Sequence, residues 1–81
     1  MTPGDTSTAT RSQRLLERGC LERLGDASRS GLAETILIAS VQHRFRDELG
    51  AIGAGRVRKV LRGLEANGRV AHSAGRWRWL R

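Results

Sequence analysis

The most constraining feature of this sequence is the apolar pattern of residues 54–67. Its apolar positions recur every three or four residues: Val57, Val60, Leu61 and Leu64. On a helical wheel they fall within about 100°, the narrow stripe of a helix that packs on one side only. Asn67 and Gly68 follow, and both residue types readily take the left-handed backbone angles that end a helix. The pattern therefore predicts a helix over 54–67 with one buried face.

Two short strand-like runs follow this helix. Residues 69–73 and 76–80 predict two strands, and Ala74-Gly75 between them predicts the turn of a hairpin. Trp77 and Trp79 share one face of the second strand. Because the chain has only one other aromatic residue, a phenylalanine, we expect at least one tryptophan to fill the core.

The N-terminal half begins with a polar, aperiodic stretch, residues 1–9, which we predict to be a disordered tail. A helix is predicted over 11–24, because its start has the T-x-x-Q spacing of a capping box and apolar residues then repeat every four positions: Leu16, Cys20 and Leu24. Residues 26–31 are a loop by composition. A chain of 81 residues has room for one core, so we predict a single domain over 10–81.

Residues 32–39 are ambiguous, because a short apolar run fits both a buried strand and one face of a helix. The β-branched residues near 35–38 favour a short strand there. A further helix is predicted over about 41–49, with Ser40 as its N-cap, Gly50 as its stop and an apolar residue at every fourth position: Val41, Phe45 and Leu49. A glycine-bounded turn then leads into the helix at 54–67.

The charge of the chain is strongly positive and unevenly distributed. The formal net charge is +7 and the pI is near 11.6. Eight of the fifteen basic residues lie from Arg56 onward, against one acid, Glu65. Such a balance favours nucleic acid or another polyanion as the partner. Arginine, which supplies all but one of the basic residues, suits bidentate contacts to phosphate and guanine, although a GC-rich genome would also enrich it.

Several other classes of protein are disfavoured by what the sequence lacks. Its one cysteine, Cys20, cannot form an internal disulfide, and no stretch approaches the ~20 apolar residues of a membrane span. His43, His72 and Cys20 lack the spacing of a zinc site, and the glycines of GAIGAG lack the GK[ST] of a phosphate-binding loop. No nucleophile motif is present. We therefore expect no catalytic residue, no cofactor and no metal, in a cytoplasmic protein that does not associate with membranes.

The C-terminal half resembles the winged helix-turn-helix family. The resemblance covers about residues 40–80 and is carried by V-R-K-V-L-R-G-L-E-A-N-G-R-V, above all Leu64-x-x-x-Gly68-x-Val70, and by the Gly75-Arg76-Trp77 hairpin. It implies an α+β fold: a small winged helix-turn-helix with three helices and a C-terminal β-hairpin wing, to which the short strand near 35–38 would add a third strand.

The chain departs from the family pattern in two ways. About ten residues separate Leu24 from the strand expected near 35–38, where the family usually has only a few. Either this is a longer loop, or residues 32–39 are the family's first helix and 11–24 is an added one. The wing is also short, which limits how far it could reach into a groove.

The resemblance places the helix at 54–67 in the major groove of duplex DNA and the basic hairpin at 69–80 on the backbone. Arg58 and Arg62 lie one turn apart and are the expected readers of bases or phosphates. The other candidate nucleic-acid-binding residues are Arg44, Arg46, Arg56, Lys59, Arg69, Arg76 and Arg78. The plainer interpretation is a solvated basic face, with the hairpin charges protecting a sheet edge.

The function expected from these patterns is sequence-preferring binding of double-stranded DNA by a small bacterial or phage transcription regulator, associated with the nucleoid. A homodimer is possible, with the helix at 11–24 as the spare surface. One alternative is an adaptor or inhibitor that presents its basic face to an acidic protein partner. Another is RNA binding, which requires an exposed Trp77 or Trp79 on which bases can stack.

Overall fold

A computed structural model of the chain describes residues 3–27 and 30–80. Within these ranges the elements are, in order, α1 (Pro3–Gly25), β1 (Leu32–Ala33), α2 (Glu34–Arg44), α3 (Arg46–Leu49), α4 (Ala54–Ala66), β2 (Val70–Ser73) and β3 (Arg76–Trp79). The fold is α+β, with helix, strand, two further helical segments, a long helix and a hairpin in the winged helix-turn-helix order. The predicted fold class is therefore confirmed.

The three strands form one antiparallel sheet in the order β1-β3-β2. Leu32 lies opposite Trp77 in the register of β1 and β3, and His72 lies opposite Trp77 in the register of β2 and β3. Because side chains alternate along a strand, Arg76 and Arg78 lie on the sheet face opposite to Trp77. The first strand thus joins the C-terminal hairpin to the start of α2.

The core lies between the sheet and helices α1, α2 and α4. Its fully buried members include residues from all four of these units: Leu16, Cys20, Leu37, Val41, Val57, Leu61, Val70 and Trp77. Trp77 is 1% exposed, which confirms that a tryptophan fills the core of a chain with few aromatic residues.

Helix α4 matches its prediction closely, because strong local signals mark both its face and its end. The four apolar residues of the predicted stripe are all buried: Val57, Val60, Leu61 and Leu64. At the C-terminus, the Arg69 N–H donates to the Leu64 carbonyl and the Gly68 N–H to the Glu65 carbonyl, each at 2.9 Å. With Gly68 at φ +73°, these bonds form a Schellman motif.

The hairpin is held along its whole length. Ala74 and Gly75 have φ of 51° and 73°, the two left-handed residues of a type I′ turn. β1 pairs with β3 as far as Arg76, and the next N–H, that of Glu34, donates to the Gly75 carbonyl at 2.9 Å. The turn of the wing is therefore fixed to the start of α2, in keeping with the short wing expected from the sequence.

The strand predicted near 35–38 is wrong in position. Those residues belong to α2, and the first strand is Leu32–Ala33. The physical reason is that β3 offers partners for only two residues before the hairpin turns away. Beyond Ala33 the backbone groups find their partners within a helix instead. One side of that helix is buried through Leu37 and Val41, while Ile36 is 52% exposed.

Two other predicted boundaries are also wrong. Ser40 is inside α2 and is not an N-cap, and the single helix expected over 41–49 is divided at Phe45 into the end of α2 and the short α3. The long loop that the sequence left open between residue 24 and the first strand is shorter than expected, because β1 begins at Leu32, and the helical alternative for 32–39 holds from Glu34 onward.

Helix α1 begins earlier than predicted, at Pro3 rather than near Arg11. Residues 3–9, expected as part of a disordered tail, are its first turns, while residues 1 and 2 lie outside the described residues. Proline is well suited to the first turn of a helix, because the N–H that it lacks has no helical acceptor there. Once Leu16, Cys20 and Leu24 anchor α1, each added residue extends an existing helix and needs no new nucleus.

Candidate nucleic-acid interface

The outward side of α4 is exposed and cationic. The four basic residues of the helix are all exposed: Arg56, Arg58, Lys59 and Arg62. Glu65 is the single acid of the helix and is also exposed. Because the buried stripe packs against α1, α2 and the sheet, the 3.6-residue period turns every charged side chain of α4 away from the core.

Arg58 differs from the other cations of α4 in having a partner. Its Nε lies 3.5 Å from Oε2 of Glu34, the first residue of α2. The other carboxylate oxygen of Glu34 accepts a hydrogen bond of 3.2 Å from Nε1 of Trp77. One carboxylate thus connects the outward side of α4 with the buried tryptophan of β3.

Glu34 belongs to this site, although the sequence patterns do not indicate it. A strand near 35–38 gives Glu34 no role, whereas a helix over 34–44 makes it an acid in the first turn, where the helix dipole favours a negative charge. That signal predicts its position on α2 but not its contacts with Trp77 and Arg58.

The remaining cations of α4 have no hydrogen bond or ion pair with the described part of the chain: Arg56, Lys59 and Arg62. Lys59 and Arg62 are three positions apart, and Arg58 and Arg62 are four apart, so their side chains are neighbours on the helix surface. Like charges at this spacing repel each other. These three residues therefore give the outward side of α4 a positive potential that no ion pair within the described residues neutralises.

The arginines of the hairpin divide into two kinds. Arg76 donates from Nε to the Ser30 carbonyl at 3.2 Å and from a terminal amino group to the Gly31 carbonyl at 3.0 Å, so it ties the loop before β1 to β3. Arg69 and Arg78 are exposed and make no side-chain bond within residues 3–27 and 30–80. Of the three, Arg76 has a structural role that the sequence did not predict.

Arg44, the last residue of α2, and Arg46, the first residue of α3, also differ in their contacts. Arg44 pairs with Glu22 of α1 at 2.5 Å, and its guanidinium lies 5.3 Å from the centre of the Phe45 ring. Hydrogen bonds from Arg44 and then Arg18 hold the pKa of the Glu22 carboxyl below its ordinary value. Arg44 therefore links α1 to α2.

Arg46 is exposed on α3, at the rim of an open groove of about 340 Å³ between α2 and the turn before α4. The side-chain amide of Gln42 lines this groove and donates to the Ile52 carbonyl at 2.7 Å. The groove is lined by Ala39, Gln42, His43, Arg46, Gly50, Ala51 and Ile52. Unlike Arg44, which pairs with Glu22, Arg46 has no ion-pair partner within the described residues.

The tryptophans and the cysteine have different environments. Trp77 is buried and stacks on His72, with ring centres 4.3 Å apart, so its faces are covered. Trp79 is 37% exposed, and its ring lies close over Gly25. Burial, and secondarily the charge of Glu17, raises the pKa of the Cys20 thiol to about 12. Cys20 is therefore a protonated core residue at neutral pH.

Comparison with known family models, curated proteins and solved structures finds no match to this chain. None of the helices in the described ranges has the length and apolar character needed to span a membrane. The function must therefore be argued from the residues themselves.

Proposed function

We propose that this protein binds double-stranded DNA with the outward side of α4 in the major groove. The observation that carries the proposal is the asymmetry of α4. One side is buried along the helix, and the other presents four exposed cations and one acid. An α-helix fits the major groove of B-form DNA. The phosphates on either side of that groove provide negative charge opposite the cations of α4.

The structure favours some of the candidate residues over others. Five cations of α4 and the hairpin are exposed without an internal partner in the described ranges and are the best candidates for phosphate contacts: Arg56, Lys59, Arg62, Arg69 and Arg78. Arg44 and Arg76 already bond to this chain, so we assign them a smaller part. Arg46 remains a candidate for contact with the backbone. Five phosphate contacts correspond to a slope of log affinity against log salt of about −4.5.

On this proposal the protein is a small regulator that occupies DNA sites in a bacterial nucleoid or on phage DNA. One such domain covers only a few base pairs. Two copies on a two-fold symmetric site would double the contacts, and regulators of this size commonly bind DNA in that way. The wing would lie along the backbone, because its turn is fixed to α2 and does not extend beyond the sheet.

The proposal is tested by measuring the affinity for a labelled random-sequence duplex between 50 and 200 mM salt, a range over which phosphate contacts dominate the change. Replacing Lys59 and Arg62 by alanine should make the slope less negative by about 2, one for each lost phosphate contact. The matched control replaces Arg11 and Arg14, exposed cations on α1, and changes the net charge equally. We expect it to leave the slope almost unchanged.

Two results would count against DNA binding. Wild-type protein that leaves the duplex unbound at 50 mM salt refutes it outright. Equal effects of the α4 pair and the α1 pair would mean that net charge alone attracts DNA and that α4 is not the interface. A single-stranded RNA of the same length belongs in the same titration, because stronger RNA binding with quenched fluorescence would point to Trp79 as a stacking surface.

A further inference from the structure

Arg58 is the one cation of α4 whose side chain is held by another residue of the described chain. The contact joins its Nε to Oε2 of Glu34 at 3.5 Å. The Arg58 side chain is 49% exposed and that of Glu34 is 26% exposed. The ion pair therefore holds the guanidinium near the Glu34 carboxylate, while much of the Arg58 side chain remains open to solvent.

Glu34 is itself fixed on both its backbone and its side chain. Its N–H donates to the Gly75 carbonyl at 2.9 Å, and its Oε1 accepts from Nε1 of Trp77 at 3.2 Å. Trp77 is immobilised in the core. An ordinary surface ion pair costs side-chain entropy in both partners. Here the carboxylate is already placed by the fold, so only Arg58 has to be ordered.

We propose that Glu34 positions Arg58 to read a guanine, so that Arg58 is the specificity-determining residue of α4 while its neighbours contact phosphates. This inference rests on the proposed function. With Nε placed 3.5 Å from the Glu34 carboxylate, the two terminal amino groups of Arg58 remain available as a pair of donors. Such a pair matches O6 and N7 of guanine in the major groove. Arg62 and Lys59 lack a fixed acceptor and suit the less directional phosphate contacts.

Ordering a long side chain in advance is worth about 0.5–1.5 kcal/mol in a binding interface. At 1.4 kcal/mol for each factor of ten, this corresponds to roughly a 2- to 10-fold change in affinity. The change should appear only with DNA that carries the guanine that Arg58 contacts. It therefore differs from the effect of a phosphate contact, which weakens binding to all sequences alike.

The test uses Glu34→Gln. Glutamine keeps an oxygen that can accept from Nε1 of Trp77, but it has no carboxylate for Arg58. The probes are a duplex selected by the wild-type protein from a random library and a scrambled duplex of the same composition. We expect the ratio of the two affinities to fall by about 2- to 10-fold. The control, Glu65→Gln, removes the same charge from an exposed acid of α4 and should preserve the ratio.

A double-mutant cycle identifies the partner through which Glu34 acts. With Arg58 already replaced by alanine, Glu34→Gln should leave the affinity ratio unchanged. With Arg62 replaced instead, the full loss should remain. An undiminished effect of Glu34→Gln in the Arg58→Ala protein would overturn the inference, as would a wild-type ratio in Glu34→Gln itself.

A measurement on the wild-type protein covers the case in which Glu34→Gln fails to fold. The side-chain Nε of Arg58 should have a higher NMR order parameter than that of Arg62, because only Arg58 of these two has an ion-pair partner within the described residues. Equal order parameters would refute the positioning role. The two proposals fail in different ways. Wild-type protein that binds neither duplex overturns both, whereas equal binding of the two duplexes by wild-type protein, or discrimination that survives Glu34→Gln, overturns only this inference.

Discussion

Alanine substitutions at Gly63 and Gly68 test how much of this protein's stability depends on backbone conformation and how much on packing. Gly63 lies inside α4, and Gly68 lies just beyond its end. A Cβ added at either position meets no atom within 4 Å. Gly68 has φ +73°, whereas Gly63 has the backbone of a regular helix. Substitution by alanine at these two sites therefore adds the same methyl group to open space on two different backbones.

The expected effects have opposite signs. In the helix, alanine is favoured over glycine by about 0.5–1 kcal/mol, so Gly63→Ala should raise the free energy of unfolding by that amount. At Gly68 the left-handed backbone penalises a Cβ by roughly 1–2 kcal/mol, so Gly68→Ala should lower it. A change of 1 kcal/mol moves the Tm of a domain of this size by about 4–8 °C. The two variants should therefore melt on opposite sides of the wild-type protein.

Urea unfolding followed by far-ultraviolet circular dichroism measures both values. Unchanged m values would show that the denatured state is the same in each protein. If Gly63→Ala destabilises the fold, the outward side of α4 contacts something in the native protein, contrary to the structure. If Gly68→Ala is neutral, the Schellman motif is not what ends α4.

Two further predictions concern the core and the loop before β1. Gly31→Ala should destabilise the fold by about 2–5 kcal/mol, because its φ is +79° and a Cβ would lie 2.0 Å from the Trp77 carbonyl oxygen. Gly50→Ala, with φ +72° in open space, should lose only the backbone part in the same urea assay. The raised pKa of Cys20 adds stability below pH 9 that is lost as the pH rises from 9 toward 12. Cys20→Ala should weaken this alkaline loss in denaturation curves at several pH values, and an unchanged loss would assign it to other groups.

The parts of the fold that the sequence predicted well are those specified by nearby residues. Helix α4 combines a regular apolar stripe with a glycine stop, and the hairpin has its left-handed turn residues at 74–75, so both lie where expected. The prediction of a strand near 35–38 was wrong because the local sequence pattern fits both a strand and a helix. What decides it is β3, some forty residues later, which can pair with only two residues of that segment.

The candidate site divides in the same way. That the cations of α4 point outward follows from the helical period, and the structure agrees. Which arginines already have partners could not be predicted, because those partners are far away in sequence. Arg44 pairs with a glutamate 22 residues earlier, and Arg76 bonds to a carbonyl 46 residues earlier. The sequence thus predicted a basic surface but not the division of its residues between structure and binding.

Several residues on the outward side of α4 and at its start lower the stability of the helix. Its N-cap is Gly53, which has no side chain to accept a hydrogen bond from the first turn. That turn has no acid but does have Arg56, which the helix dipole disfavours. Gly55 and Gly63 each cost about 0.5–1 kcal/mol relative to alanine, and no neighbouring atom requires their small size. The buried stripe on the other side must offset these costs. A polyanion bound to this surface would relieve the repulsion among its cations and supply the negative charge that the start of the helix lacks. This is the physical reason for proposing that the surface binds DNA rather than only water.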